Sequence, residues 1–570
     1  MSRDQIAGGA YVLVSGGRIV TSRGFGVTNV SSRKRVHPDS TAFGLASTTK
    51  LFTAIAAARM SREGRIDLDA PVAPYLGTSA IASRAGSATV SRLLTHTAGY
   101  DDPTIGSAGR TATDLIPLAR YLDRMLTSPW LPPQTQTSYS NVGVALAGHV
   151  LSVAAGTPFP LLLDSAVFIP FGMQRTTVHQ PLPQSIEQAR AIPYAFSDGR
   201  QIPVPRIFFN DAPASAAYST PHDMGVLMNR LLVPATAEDS AIAASLFSRR
   251  FTNHPALAGM TLGFRESGDR EGVYEHGGDW QDYSNTLYLD RPSETGLFVV
   301  FSSAEGSRIG ADLWSTVLKS LPAKPARYAF SQPTQAGPGP GCSGVEGTYR
   351  DTRMSRHSIA KLRMLTGDVP ALVVRGSPNG LELNGRAYRE IGGGVFKADD
   401  GRTIAFRCDN GGEATLLFRG NAPASSYRRI DPGEKRSVQI GLLLFALVAA
   451  IAAIVVDVKR RRSRNELTDV IARALRVAAS VSVVVLFFAL ALLLVTTNPW
   501  AFQYGMPGSI ANLQRLSWLP AALAPLALVM TLGALIRARA AAGVIEVMLA
   551  VPAILLVILM VQWNLISFRG

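Results

Sequence analysis

Four long apolar runs dominate the C-terminal part of the chain. They lie at 438–456, 477–495, 519–536 and 540–561, and each approaches the roughly 20 apolar residues that an α-helix needs to cross a bilayer. Buried core helices are the alternative interpretation, but four such runs in succession are hard to enclose in a water-soluble fold. We therefore predict a membrane domain at 436–570 with four transmembrane helices.

The basic residues between these runs predict an orientation. Lys459 to Arg462 and Arg464 follow the first run, and Arg537 and Arg539 lie between the third and the fourth. Because Lys and Arg concentrate in cytoplasmic loops, the region before the first run should lie on the periplasmic side of the inner membrane, as should the C-terminus. The chain enters its first strand pattern without an apolar leader, so we expect the true start to lie upstream.

Charge and cysteine content exclude some classes of function. The chain has a formal net charge of +15 and only 17% charged residues. No basic stripe is interleaved with aromatic residues, so nucleic acid is not a predicted partner; a lipid bilayer and a small substrate are. Two cysteines, Cys342 and Cys408, are too few for a cysteine-rich metal site, and no metal or cofactor is expected. They could form one disulfide in an oxidising compartment or remain two free thiols.

The region before the membrane domain divides into two parts. Residues 1–321 have strand patterns at both ends and helical patterns between them, which predicts an α+β domain whose ends pair in one antiparallel sheet flanked by helices. Residues 322–343 are rich in Pro and Gly and indicate a linker. Short apolar runs punctuated by turn residues at 344–430 predict a small all-β module.

A serine and a lysine stand three residues apart at the head of an alanine-rich helical pattern. If Ser47 begins this helix, its hydroxyl and the amino group of Lys50 share one face. Serine needs a base within hydrogen-bond reach to act as a nucleophile. The Ser-x-x-Lys pattern alone is weak, because Ser31 and Lys34 repeat it in a polar connection with no apolar helix after it.

Partners elsewhere in the chain make the pattern specific. Ser47-Thr-Thr-Lys50, Tyr139-Ser-Asn141 and His276-Gly-Gly278 resemble, in this order, the three motifs of the serine β-lactamase and penicillin-binding protein superfamily. The similarity is strongest to the group of class C β-lactamases, D-aminopeptidases and family VIII esterases. It covers about residues 5–320, and the all-β module is similar, more weakly, to lipocalin-like appendages in that group.

The resemblance implies a role for each motif residue. Ser47 would be the acylated nucleophile, Lys50 its base, and Tyr139 the group that passes protons to the leaving group and from the deacylating water. Asn141 would position Lys50 and the substrate.

The third motif is expected to build the oxyanion hole and the substrate groove. The backbone N–H groups of Ser47 and Asp279 would form the oxyanion hole. Gly277 and Gly278 would leave room for a substrate lying against their strand. His276 stands where the family usually has lysine, and a histidine is mostly neutral near pH 7. This departure favours esters and small peptides or amides over β-lactams.

Two residues compete for roles in this site. Tyr283-Ser-Asn285 repeats the second motif but has no helix after it, so Tyr139 is the predicted catalytic tyrosine. His96 is expected to fix a loop rather than to act as a base. The sequence therefore predicts a membrane-anchored serine hydrolase, and the alternative is a penicillin-binding-like sensor that is acylated with little turnover.

Overall fold

The computed structural model describes residues 6–268, 270–321, 342–366, 369, 371–378, 380–459, 467–496, 498–506, 508–538 and 551–565. The chain forms two compact units. The first contains Met1–Asp102, Ser107–Arg353 and Ala371–Arg429, and the second contains Pro103–Gly106, Met354–Pro370 and Ile430–Gly570. We call the described residues up to 321 in the first unit the sheet module, and 342–353 with 371–429 the barrel module. The second unit is the helical unit.

An antiparallel sheet forms the centre of the sheet module. Among the described residues it has seven strands in the order β10-β11-β12-β13-β1-β2-β3. Strand β1 pairs with β13 from Gly9 opposite Phe301 to Ser15 opposite Thr295, so the two ends of the module meet as predicted. The strands of this module are β1 (Gly8–Ser15), β2 (Arg18–Asn29), β3 (Lys34–Arg35), β4 (Phe43–Gly44), β5 (Ala108–Gly109), β6 (Tyr194–Ser197), β7 (Arg200–Pro203), β8 (Phe208–Phe209), β9 (Tyr218–Ser219), β10 (Arg265–Glu266), β11 (Val273–Asp279), β12 (Ser284–Asp290) and β13 (Thr295–Phe301).

Helices cover this sheet and carry the site residues. Helix α1 is buried along most of its length, from Thr49 to Ala58 and at Met60. It begins at Thr49, two residues later than the sequence pattern predicts, because Ala46–Thr48 form a 3₁₀ turn first. The helices are α1 (Thr49–Arg62), α2 (Ala80–Ala85), α3 (Val90–Leu94), α4 (Leu118–Met125), α5 (Asn141–Ala155), α6 (Phe159–Leu163), α7 (Ile169–Phe171), α8 (Gln184–Ala189), α9 (Ala212–Ser215), α10 (Pro221–Leu232), α11 (Ala237–Phe247) and α12 (Ser307–Ser320).

The predicted all-β module is a closed barrel, eight strands over the residues that are described. A disulfide joins Cys342 to Cys408 within it. Most of the predicted linker, 322–341, lies outside the described residues. The barrel strands are β14 (Gly347–Asp351), β15 (Ala371–Ser377), β16 (Gly380–Leu383), β17 (Arg386–Gly392), β18 (Val395–Lys397), β19 (Thr403–Cys408), β20 (Ala414–Arg419) and β21 (Ser426–Arg429).

The helical unit contains three described helices long and apolar enough to cross a membrane, at Arg436–Lys459, Val470–Leu493 and Gly508–Met530. Helices α5 to α7 pass the same test as a bent pair, but they are buried in the core of the sheet module. Of the fourth predicted run only the last part is described, together with the helix it forms; the basic residues at 460–464 and Arg539 lie outside. The helices of this unit are α13 (Arg363–Thr366), α14 (Arg436–Lys459), α15 (Leu467–Thr496), α16 (Gly508–Ala538) and α17 (Val551–Gln562).

Candidate active site

Ser47 lies in the tight turn between β4 and α1. The preceding residue, Ala46, has φ of +43°, a region that residues with a Cβ rarely adopt and that costs about 1–2 kcal/mol. The turn is held from both sides. The N–H of Leu45 donates to the carbonyl of Ala217 at 2.8 Å, and Asn285 Nδ2 donates to the carbonyl of Leu45 at 3.1 Å. Strained backbone fixed in this way points the serine side chain in one direction.

Lys50 reaches the serine from the first turn of α1. Its Nζ donates to Ser47 Oγ at 3.0 Å and to the carbonyl oxygen of Ala214 at 2.9 Å. The side chain is 2% exposed, so both bonds form in a site from which water is largely excluded. The predicted serine–lysine contact is therefore present even though Ser47 itself precedes the α-helix.

Tyr139 brings a second polar group to the same oxygen. Its hydroxyl donates to Ser47 Oγ at 2.9 Å, and Lys50 Nζ lies 4.9 Å from its ring centroid. Tyr139 lies immediately before the N-terminus of α5. That helix is capped by Ser140, whose Oγ accepts from the N–H of Gly143 at 3.0 Å, a strongly preferred type of N-cap. The cap sets the point at which the chain turns and so places Tyr139.

His96 packs on the ring of Tyr139, with the two ring centroids 4.2 Å apart. Its Nδ1 accepts from the N–H of Ser140 at 3.3 Å, and its carbonyl oxygen accepts from the N–H of Ser138 at 2.8 Å. Burial, and then the nearby cations Lys50 and Arg353, hold the pKa of His96 well below its usual value. This neutral histidine holds the two residues that flank Tyr139, Ser138 and Ser140, in place, as expected of a residue that fixes a loop.

The third motif lies on β11. His276 is buried, and its Nδ1 has no hydrogen-bond partner among the described residues. Burial lowers the pKa of His276 well below its usual value, and the charges of Arg265 and Lys50 lower it further. The imidazole is therefore neutral at physiological pH, as the sequence predicts.

The two glycines of the third motif have different surroundings. A Cβ on Gly278 would come 2.0 Å from the carbonyl oxygen of Leu45, whereas a Cβ on Gly277 would find its nearest atom, Asn285 O, at 3.3 Å. Gly278 therefore lets β11 lie directly against the turn that carries Ser47. Only Gly277 fits the predicted role of leaving open space along the strand.

Asn285, which the sequence suggests only as part of a rival motif, joins the two halves of the site. Its Oδ1 accepts from the hydroxyl of Thr48 at 2.7 Å. Its Nδ2 donates to the carbonyls of Leu45 and Gly278, both at 3.1 Å. One buried amide thus ties the nucleophile turn to β11.

Tyr283 lies away from this chemistry. Its hydroxyl donates to the carbonyl oxygen of Ala191 at 2.5 Å, and its ring is 1% exposed in the core. The structure therefore brings Tyr139, and not Tyr283, to Ser47.

Asn141 begins α5 beside Tyr139. Its N–H donates to Asp102 Oδ1 at 2.7 Å. The side chain is 5% exposed, and its Oδ1 has no hydrogen-bond partner among the residues described. A buried acceptor without a partner is energetically costly, so this amide is available to a substrate group.

Arg265 on the neighbouring strand β10 is a residue that sequence reasoning missed. A Cβ on Gly277 would lie 3.7 Å from its Nη2, and its Nε is 3.7 Å from Glu275 Oε1, too far for a hydrogen bond. A fixed positive charge therefore stands beside β11, although the motif has histidine in place of lysine. No sequence motif indicates Arg265, because its position beside β11 depends on the pairing of β10 with β11.

Two carboxyl groups near the site have raised pKa values. Partial desolvation by the surrounding site raises the pKa of Asp279, an exposed residue at the end of β11, to about 6, although Arg265 opposes the shift. Burial likewise raises the pKa of Asp211, next to α9, to about 7, against the charge of Lys50 and a bond from Ser215. Over the described part of the chain, no group of three or more His, Cys, Asp or Glu side chains is arranged to hold a metal ion.

Comparisons with known proteins identify relatives of this chain. A family model described as Beta-lactamase matches residues 1–336. The chain is 31% identical over 174 residues to "Penicillin-binding protein 4" of Amycolatopsis lactamdurans, a match that covers 30% of this chain and 42% of the relative. It is 27% identical over 219 residues to "Esterase EstB" of Burkholderia gladioli, covering 35% of this chain and 55% of that protein. The chain thus spans about half the length of these curated relatives.

A solved structure extends the likeness to the fold. The octameric penicillin-binding protein homologue from Pyrococcus abyssi aligns with 75% of this chain and 97% of its own, with a TM-score of 0.50 and 17% identity. The predicted α+β fold, a sheet flanked by helices, is confirmed as β-lactamase/transpeptidase-like, and so is the resemblance to the family. Since the family model covers more than half of the 570 residues, the chain belongs to the β-lactamase family of serine hydrolases.

Proposed function

We propose that the protein is a membrane-anchored serine hydrolase that acts outside the cytoplasm through an acyl-enzyme on Ser47. Its substrates would be esters or small peptides and amides, including those that contain D-amino acids. One observation carries the proposal: Ser47 Oγ lies 3.0 Å from Lys50 Nζ and 2.9 Å from the hydroxyl of Tyr139. A nucleophile within hydrogen-bond reach of its base is the arrangement that nucleophilic catalysis requires.

In the acylation step, Lys50 removes the proton of Ser47 while Oγ attacks the substrate carbonyl carbon. The oxyanion that forms would be bound by the N–H groups of Ser47 and Asp279. The close approach of Gly278 to Leu45 supports this role, because it holds the residue after Gly278 near the nucleophile turn. Tyr139 then passes a proton to the leaving group as the carbonyl re-forms.

In deacylation, water attacks the acyl carbon, the Tyr139 phenolate accepts its proton, and Lys50 returns the proton it took in acylation to the Oγ of Ser47 as that oxygen leaves. Asn141, with an unpartnered amide oxygen, is suited to orient an N–H group of the substrate. His276 is neutral, so Arg265 is the fixed charge that could meet a substrate carboxylate. Because of this positive charge, the proposed substrates include those whose acyl group or leaving group carries a carboxylate.

Membrane anchoring and the outward-facing site rest on the apolar helices and the loop charges. Three described helices meet the length and hydropathy that a membrane span requires. The basic residues after the first and third runs favour a cytoplasmic position for those loops by the positive-inside rule. The protease sensitivity of the catalytic domain in spheroplasts, from which the outer membrane has been removed, compared with lysed spheroplasts, tests this orientation; protection in spheroplasts that is lost on lysis would contradict it.

Fluorophosphonate labelling of the full-length protein in detergent tests the nucleophile. The wild type and Ser31→Ala, which alters the second Ser-x-x-Lys pattern, should label equally, and Ser47→Ala should not label. The same three proteins are then assayed with p-nitrophenyl esters, D-amino-acid amides and nitrocefin. Turnover by the wild type and Ser31→Ala alone supports the proposal, and labelling that survives Ser47→Ala contradicts it.

A sensor with little turnover is the second candidate. The helical unit favours it, since three long helices exceed what a single anchor needs. A buried ion pair, Asp457 Oδ1 to Arg476 Nη2 at 2.9 Å, joins the first two helices, and charged groups in membrane segments are commonly functional. A wild type that labels on Ser47 but turns over none of the three substrate classes would favour the sensor over the hydrolase.

A further inference from the structure

The barrel module holds the segment that leads to Tyr139. Thr137, two residues earlier, is fully buried. Its Oγ1 donates to the carbonyl of Pro423 at 2.9 Å, and its own carbonyl accepts from the hydroxyl of Ser426 at 2.7 Å. Pro423 and Ser426 belong to the turn and strand that end the barrel, so both bonds link the two modules.

Neighbouring residues strengthen this contact. Arg407 of β19 donates to the carbonyl of Thr135, and its Nη2 donates to the carbonyl of Asn253 at 3.0 Å. The side chain of Asn253 in turn accepts from the N–H of Thr137 at 2.9 Å and donates to Pro423 O at 3.0 Å. The backbone of this segment is therefore fixed jointly by Asn253 of the sheet module and by groups of the barrel module.

Apolar packing accompanies these polar bonds. Leu257 of the sheet module is 4% exposed and belongs to one buried cluster with four barrel residues. Those residues are Val395, Ala405, Leu416 and Phe418. A buried apolar contact with several hydrogen bonds around it is typical of a fixed interface rather than of a flexible tether.

One barrel residue reaches Tyr139 itself. Arg353 follows β14, and its guanidinium carbon lies 4.4 Å from the ring centroid of Tyr139. Its Nε donates to Asp102 Oδ2 at 2.9 Å. Asp102 is 3% exposed on its side chain, and its other oxygen accepts the N–H of Asn141. A single buried carboxylate thus links Arg353 to the start of α5.

We propose that the barrel module is a working part of the active site and that Arg353 is a positioning residue for Tyr139. Held by Asp102, it fixes the phenol ring beside Ser47 and places a second positive charge, after Lys50, against that ring. A cation over an aromatic face is stabilising, and the effect grows when the ring gains negative charge. This inference rests on the proposed role of Tyr139 in proton transfer.

The chemical consequence concerns the moment at which Tyr139 is deprotonated. Its hydroxyl proton goes to the leaving oxygen or nitrogen, and the phenolate later takes a proton from the water that adds to the acyl carbon. Between these events the ring carries negative charge beside Arg353 and Lys50. Removal of Arg353 should therefore slow turnover more than it weakens substrate binding.

Full-length variants in detergent test this inference. The Arg353 side chain is 41% exposed, so Arg353→Gln should lower kcat on the best ester by about two- to fivefold, the usual worth of a cation–π contact at such a site, while KM changes less than about twofold. Arg353→Lys keeps a charge without the planar fork and should recover part of the loss. Arg375→Gln, an exposed arginine of the same module with its side chain 72% exposed, is the matched control and should behave as the wild type.

The outcomes separate this inference from the proposed function. A wild-type kcat in Arg353→Gln, with an active wild type, overturns the inference alone. So does a Tm that falls in step with kcat in both Arg353→Gln and Arg353→Lys, because that is the result of a merely structural role. A wild type that neither labels on Ser47 nor hydrolyses any ester overturns the proposed function, and the role of Arg353 with it.

Discussion

Gly278 lies so close to Leu45 that a methyl group on its Cα would come 2.0 Å from the Leu45 carbonyl oxygen. Real Cβ atoms do not approach oxygen this closely, so strand β11 and the nucleophile turn fit together only with glycine at this position. Asn285 bonds to both partners of this contact. The shape of the active site thus depends on one missing side chain and one buried amide.

Gly278→Ala should separate β11 from the nucleophile turn. Both sides of the contact are backbone, and neither can rotate away from an added methyl group. We therefore expect a lower Tm. We also expect the rate of Ser47 labelling to fall at least tenfold, which corresponds to about 1.4 kcal/mol of activation free energy. Gly277→Ala, whose Cβ would meet its nearest atom at 3.3 Å, should lower the Tm much less. Equal Tm values for the two variants would contradict this account of the contact.

The two tyrosines of the repeated Tyr-x-Asn pattern should give opposite phenotypes. Tyr139→Phe removes a hydroxyl bonded to Ser47 and should lower kcat by about 10²–10⁴, the usual worth of a positioned acid–base group, with little change in Tm. Tyr283→Phe leaves the carbonyl of Ala191 without its donor and should lower stability by about 1–3 kcal/mol, with kcat unchanged. Kinetics and thermal unfolding of both variants decide the matter, and a large kcat loss in Tyr283→Phe would overturn the assignment.

Asp211 should make the wild type less stable as pH rises. Burial raises its pKa to about 7, so the folded state binds a proton that the unfolded state releases near pH 4. Stability is therefore lost between about pH 4 and pH 7. Asp211→Asn removes this dependence, and its Tm relative to the wild type should be higher at pH 8 than at pH 5.

Asp114→Asn is the matched control for this pH effect. Backbone N–H groups of Thr111 and Arg110 lower the pKa of Asp114, so its contribution is present above the unfolded pKa and is lost as pH falls. The Tm of Asp114→Asn relative to the wild type should therefore be lower at pH 8 than at pH 3. For each variant, the Tm relative to the wild type is compared at high and at low pH. If this relative Tm changed with pH in the same direction for both variants, the assignment for Asp211 would be contradicted.

The disulfide between Cys342 and Cys408 should stabilise the barrel. The two residues are 66 apart in sequence, and closing a loop of that length contributes about 4 kcal/mol in the chain-entropy model. Dithiothreitol should lower the Tm of the wild type and leave the Cys342→Ser/Cys408→Ser double variant unchanged. Thiol alkylation before reduction, which counts free thiols, should find none; two free thiols would show that the bond is absent.

The sequence predicts those site residues that belong to short motifs. Ser47, Lys50 and Tyr139 were predicted because their residue types and order are specific, and the structure brings all three together. The strands at both ends of the sheet module were readable from their alternation and apolar runs. The start of α1 is not predictable in this way. The turn before it requires a positive φ at Ala46, and an alanine in the sequence does not indicate such a conformation.

Residues that act through tertiary contacts escaped prediction. Arg265 depends on the pairing of β10 with β11, and Arg353 lies more than 200 residues beyond the tyrosine it touches. Asn285 was visible only as a false second motif, because its role arises from three bonds to distant backbone and side-chain groups. Periodicity and spacing carry no information about such long-range pairings.

The position of β1 determines when the sheet module can fold. The strand lies between β2 and β13, and Gly9 pairs with Phe301, so its second neighbour is synthesised only after most of the sheet module. Long-range pairing of this kind makes folding slow. In the nascent chain, the edge of β1 that faces away from β2 must therefore remain unpaired until β13 leaves the ribosome.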